Sequence, residues 1–152
     1  MRSTRSVSSR EIGFRKALWR LGARGYRVGI DLPGRPDIYF PRSHLAVFVH
    51  GCYWHRCPQC SLALPKANRA FWAAKFRENL ERDARVVRTL RELGVEVEIV
   101  WEHEIRTDLN KRAHQLLKLA QMLGSPSHLD RAGHRSFEAP GQGAPSRPRG
   151  DS

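Results

Sequence analysis

Three things are scarce in this chain of 152 residues. Cysteine occurs three times, an odd and small number that argues against a secreted disulfide scaffold. Long apolar runs are missing: none approaches the ~18 residues of a membrane-spanning helix, so no membrane protein is expected. Acidic residues are few, 15 Asp and Glu against 27 Lys and Arg, which leaves a formal charge of +12. That imbalance points to a polyanionic partner, and nucleic acid is the commonest for a basic domain. A merely basic surface, as on a ribosomal protein, is the alternative. What is present, 40% hydrophobic and 28% charged residues, suits one domain with a single core.

The two ends differ from the middle. The opening MRSTRSVSSR is basic, Ser-rich and free of acid. It is too short for an amphipathic transit peptide and lacks the apolar stretch of a secretory signal. Residues 1–8 read as an arm of the kind that reaches along DNA, or as a frayed terminus. From Gly124 onward Gly, Pro and Ser dominate and little apolar surface is available, so 124–152 is expected to be a disordered tail. The folded domain is expected over 9–123.

Within it, Ile12, Phe14, Ala17, Leu18 and Leu21 recur at helical spacing after Ser9 and Glu11, with Gly22 and Gly25 as the stop. Tyr26–Ile30 suggests a short strand leading into the turn Leu32-Pro33-Gly34-Arg35-Pro36. Asp37–Phe40 and Leu45–Val49 read as a hairpin, with Asp37 at its start and His50 just past its end. A long charged helix follows over Arg69–Leu93 and is stopped by Gly94. Val95–Trp101 reads as a strand, and a last helix is expected over Leu109–Leu123. This order describes an α/β domain with a mixed sheet flanked by helices.

The segment His50-Gly-Cys52-Tyr-Trp-His55-Arg-Cys57-Pro-Gln-Cys60 concentrates thiols and imidazoles. Cys57 and Cys60 have knuckle spacing, and Cys52 offers a third thiolate to the same ion. A structural Zn²⁺ site needs a fourth ligand. His103, in VWEHE at the end of the last expected strand, is a candidate; His50 and His55 are nearer in sequence. Three buried thiols without metal are the plainer alternative.

Asp37 either caps a turn or, as a strand-borne carboxylate, holds the Mg²⁺ of a nuclease. His55 suits a general base, because an unperturbed imidazole titrates near neutral pH, and His50 suits donation to a phosphate oxygen or leaving group. Tyr53, Trp54 and Trp72, flanked by Arg56, Lys66 and Arg69, either cover the core or stack against bases.

DLPGRPDIYF, AVFVHGCYWHRCPQC, FW followed by NLERD, and VEIVWEHE occur in that order. In these segments, which run from about Ser9 to Ile105, the chain resembles the very short patch repair (DNA mismatch) endonuclease family. The resemblance implies a restriction-endonuclease-like fold and a Mg²⁺-dependent nick in double-stranded DNA, 5′ to the thymine of a T:G mismatch. It implies Asp37 as the Mg²⁺ carboxylate, His55 as general base, His50 as its assistant, and Glu11 as a supporting acid of the first helix. Cys52, Cys57, Cys60 and His103 become the Zn²⁺ ligands, and Tyr53, Trp54 and Trp72 the wedge beside the mismatch. Val49 stands where the family often has threonine and can offer Mg²⁺ only its carbonyl. The carboxylate and lysine that usually follow the first acid of a nuclease strand are missing, so the imidazoles must substitute. A monomer in the bacterial cytoplasm, nucleoid-associated when on DNA, is expected. A zinc-stabilised DNA-binding module without cleavage and a sequence-specific nickase of a restriction system are the alternatives.

Overall fold

The computed structural model describes residues 7–126. The arm expected over 1–8, apart from its last two residues, and the tail beyond residue 126 lie outside the described residues. Helix α1 (Ser9–Arg20) opens where the Ser8 hydroxyl accepts the Glu11 N–H at 3.2 Å, satisfying one of the donors a helix start leaves open. Phe14, Ala17 and Leu18 form its buried stripe. Gly22 then turns the chain at φ +92, a conformation that glycine reaches without steric cost.

Strands β1 (Ile38–Phe40) and β2 (Leu45–His50) form the expected hairpin, antiparallel, with Ile38 opposite Val47. His50 is the last residue of β2 and does not lie beyond it. The strand expected over Tyr26–Ile30 does not form. Arg27 alone bridges to Tyr39, because Gly25 and Gly29 on either side hold positive φ of +75 and +67 and break the extended run. Helix α2 (Arg69–Glu92) ends at Gly94, and β3 (Glu96–Trp101) then pairs parallel to β2. The sheet is mixed, in the order β1-β2-β3.

Helix α3 (Glu102–Leu123) begins earlier than expected, so His103 lies in its first turn and not on the strand. Asp108 interrupts it at φ −154 and ψ 90, and its carboxylate accepts the Lys111 N–H at 2.9 Å. It thereby caps the second stretch, whose start is the one legible in the sequence. The short first stretch carries too little apolar periodicity to announce itself. Its anchor is polar: Glu104 accepts the Trp101 N–H at 2.8 Å and the Arg112 Nε at 3.0 Å. Arg112 is buried and reaches Glu98 of β3 at 2.6 Å and the Ile99 carbonyl at 3.1 Å. The Glu98 and Glu104 carboxylates hold its pKa above the ordinary value even though burial works the other way.

Side chains alternate across β2. Leu45, Val47 and Val49 face α1 and α3 with Phe14, Leu18, Val100 and Leu116. Ala46 and Phe48 face the other side with Tyr39, Leu90 and Val95, where α2 packs. Each fully buried leucine or phenylalanine is worth about 1.5–3 kcal/mol. His50, next in the alternation, falls on the α2 side. The turn before β1 rests directly on α2: a Cβ at Gly34 would lie 2.4 Å from Val86 Cγ1.

Candidate functional site

Between β2 and α2, residues 51–68 form no helix or strand; a few backbone turns, such as the Cys57 N–H donating to the Cys52 carbonyl at 3.0 Å, are joined by side-chain contacts. The Cys52, Cys57 and Cys60 Sγ atoms stand 3.3, 3.5 and 3.5 Å from His103 Nδ1. Zn–S bonds of about 2.3 Å and a Zn–N bond of about 2.0–2.1 Å at tetrahedral angles place sulfur and nitrogen about 3.5–3.6 Å apart. The Cys₃His set therefore has the size a Zn²⁺ ion needs, and all four donor atoms lie within 4.8 Å of one another. Desolvation and the neighbouring Cys52 and Cys57 thiols push the Cys60 thiol up to about 11. A cation bound among these donors would displace the Cys60 proton. The backbone completes the setting: the His103 N–H donates to Cys52 Sγ at 3.4 Å, and the Cys52 N–H to Glu102 Oε2 at 3.3 Å. The other oxygen of Glu102 pairs with Arg10, which ties the start of α1 to this loop.

A cleft of about 350 Å³ opens on the α2 side, lined by His50, His55, Asp83, Arg82, Phe48 and Gly34 among others. The His50 and His55 rings stack, centroids 3.7 Å apart and planes at 11°. His55 Nδ1 lies 2.7 Å from Asp83 Oδ2. Burial works to raise the Asp83 pKa, but the hydrogen bond from His55 and the charges of His55, His50 and Arg82 outweigh it and hold the carboxyl below its ordinary value. Asp83 is therefore an acceptor, so His55 Nδ1 must be the donor, and Nε2 is the nitrogen left to take up a proton.

Asp37 is not among the donors that converge with these imidazoles. It stands at the threshold of β1, where its N–H donates to the Val47 carbonyl at 2.9 Å and its Oδ2 accepts the Val49 N–H at 2.7 Å. In an extended strand the N–H and C=O of one residue face the same side. The Val49 carbonyl is thus turned toward the side on which Asp37 lies. One carboxylate and one carbonyl are hard oxygen donors of the type Mg²⁺ accepts while it keeps several waters. Glu11 is buried at the start of α1, its carboxylate 3.7 Å from Arg15.

Tyr53, Trp54 and Trp72 come together around Phe76, their ring centroids 5.3, 6.2 and 5.9 Å from it. Phe76 is buried, whereas Trp54 is 53% exposed and Phe71, beside Trp72, 62% exposed. Arg56 turns inward: its guanidinium covers Phe76 at 4.6 Å and donates to the Leu62 carbonyl. Lys66 and Arg69 are exposed at the entrance to α2.

Two site residues escaped the sequence reading. Asp83 lies in NLERD, one acid in a helix full of charge, and nothing local separates it from its neighbours. Phe71 precedes Trp72 and reads equally well as part of the apolar stripe.

A sequence profile of the family described as DNA mismatch endonuclease Vsr matches residues 1–61. The chain is 40% identical over 105 residues to the type II nicking enzyme V.NaeI of Lentzea aerocolonigenes, covering 66% of this chain and 63% of that one. It is 39% identical to the type II nicking enzyme V.XorIIP of Xanthomonas oryzae pv. oryzae, covering 69% and 78%. It is 35% identical to the DNA mismatch endonuclease Vsr of Escherichia coli, covering 69% and 70%. It thus spans less than two thirds of the Lentzea protein and more of the other two.

Proposed function

Because the chain belongs to the DNA mismatch endonuclease Vsr family, we propose that it is a DNA endonuclease that nicks one strand 5′ to the thymine of a T:G mismatch. The observation that carries the nuclease reading is the His55–Asp83 contact of 2.7 Å at the mouth of an open cleft. It fixes one imidazole tautomer and leaves Nε2 available to water, which is what a general base of phosphodiester hydrolysis requires. His50, stacked on His55, offers a proton to a phosphate oxygen or to the leaving group. Asp37 and the Val49 carbonyl would hold Mg²⁺, which would lend positive charge to the scissile phosphate. Glu11 supports this corner from α1, and no second strand carboxylate is required. The aromatic group around Phe76 provides exposed faces for a disturbed base pair, and Lys66 and Arg69 beside it meet the backbone. The Cys₃His site with Zn²⁺ holds the loop that carries Tyr53, Trp54 and His55. The architecture is read as restriction-endonuclease-like, acting as a monomer on double-stranded DNA in the cytoplasm.

A second reading has its own support: two of the relatives are named type II nicking enzymes, so a nickase tied to a restriction system uses the same chemistry on another substrate. The test is a nicking assay on end-labelled duplexes that carry T:G or T:A at one position, in several flanking contexts, with Mg²⁺ or EDTA. A Mg²⁺-dependent cut confined to T:G supports the mismatch reading. A cut in paired DNA moves the protein to the restriction reading. Binding without any cut leaves a zinc-stabilised DNA-binding module, and with it falls the role given to His55.

A further inference from the structure

The catalytic cleft does not end at Asp83. Asp83, Val87 and Ile99 also line a second groove of about 670 Å³, between α2 and β3. Its rim carries Arg85, Arg88 and Arg91, all exposed, and none of them takes part in an ion pair among the described residues. Of the two acids that line it, Asp83 is already engaged by His55, which leaves Glu81 alone against three guanidiniums. Such a rim is costly in self-repulsion unless an anion neutralises it.

We infer that this groove is the path of the DNA backbone leaving the nick site, with Arg85, Arg88 and Arg91 each meeting a phosphate. The inference rests on the endonuclease reading of the adjoining cleft and adds the direction in which the duplex extends. The dimensions agree: Arg85 to Arg91 spans about 9 Å of helix at about 1.5 Å per residue. One strand of a duplex advances about 3.4 Å per phosphate along its axis, so three phosphates span about 7 Å, within reach of three long guanidinium side chains. Guanidiniums suit this use because their planar donors fit phosphate oxygens, and a contact to phosphate carries no sequence preference. The aromatic group lies at the other end of α2, so the duplex is gripped at the mismatch by rings and away from it by charge.

The test compares the full-length chain with the triple variant Arg85→Ala, Arg88→Ala, Arg91→Ala, and with a control that removes Lys16, Arg20 and Lys118, exposed cations outside the groove. Affinity for a T:G duplex is measured across a salt series, and single-turnover nicking at saturating DNA. Each lost phosphate contact removes about 0.9 from the slope of log affinity against log salt, so the groove variant should lose up to about 2.7. Between 50 and 200 mM salt that difference makes its affinity about 40-fold less salt-sensitive than the parent's. Its nicking rate at saturation should equal the parent's, and trimming the duplex on one side only should weaken the parent but not the variant. An unchanged slope, an equal drop in the control, or a loss of rate at saturation would overturn the inference. A parent chain that binds no DNA would overturn the endonuclease reading along with it.

Discussion

Stripping the metal from the Cys₃His site should disorder one loop and leave the rest of the fold standing. From Cys52 to Cys60 there are nine residues. Fixing their backbone costs about 1–2 kcal/mol each, roughly 9–18 kcal/mol in all. Neither strand nor helix offsets that cost, and only Cys52 and Cys57 in the stretch are buried. Apparent Zn²⁺ binding energies of about 10–16 kcal/mol are of the same size. The loop should therefore be ordered only with its ion, whereas the sheet and its helices have their own core on both faces. Chelation should give back one Zn²⁺ per chain by elemental analysis and leave most of the far-ultraviolet helical signal. The fluorescence of Trp54 and Trp72 should shift red as their cluster opens. Nicking should disappear, because His55 travels with the loop, and mismatch affinity should fall with the loss of Tyr53 and Trp54. Cys60→Ser should do the same more weakly. A metal-free protein that nicks at the parent rate would refute the reasoning, and so would a loop of unchanged fluorescence.

Four other outcomes are expected. Asp83→Asn should slow single-turnover nicking by about 10²–10⁴-fold with DNA affinity kept, since the amide no longer fixes the His55 tautomer; equal rates would sink the base assignment. The folded Asp83 pKa lies below its ordinary 3.8, so its contribution to stability is full above that value and is lost as pH falls through the lower one. Thermal melts of the parent and Asp83→Asn should therefore differ at neutral pH and converge in strong acid. Arg112→Ala should cost about 3–5 kcal/mol by urea unfolding because it strands the partly buried Glu98 and Glu104, and Arg112→Met should do no better; an unchanged midpoint would contradict the network. Trp54→Ala should weaken T:G binding by about 5–150-fold, the equivalent of about 1–3 kcal/mol of stacking, without lowering the rate at saturation.

Most of the scaffold was legible because it is written in local patterns. The stripe of Phe14, Ala17 and Leu18, the hairpin around Pro41–Ser43 and the stop at Gly94 each need only neighbouring residues. The Cys₃His set was legible by chemistry, and among its candidate fourth ligands the structure brings His103 to the thiols. What stayed hidden depends on contacts between distant parts of the chain. Asp83 becomes a partner of His55 only once α2 packs over β2, and the first turn of α3 is held by Arg112 across to Glu98. The strand expected at Tyr26–Ile30 fails for the opposite, local reason: Gly25, which also stops the helix, and Gly29 hold positive φ and bend its β-prone residues.

Gly34 gauges the width of the cleft between its own turn and α2. The turn it belongs to leads into Asp37, and the residue it abuts, Val86, sits three positions along α2 from Asp83. Asp37 and Asp83, the two carboxylates given roles in the proposed chemistry, thus lie on either side of the contact between this turn and Val86. A side chain at residue 34 would have to displace Val86, on the same helix as Asp83. Phe48, whose Cε1 would lie 3.3 Å from such a Cβ, closes off the obvious escape. The smallest residue in the cleft is in this sense its ruler, and alanine there would be expected to part His55 from Asp83 before it disturbed the core.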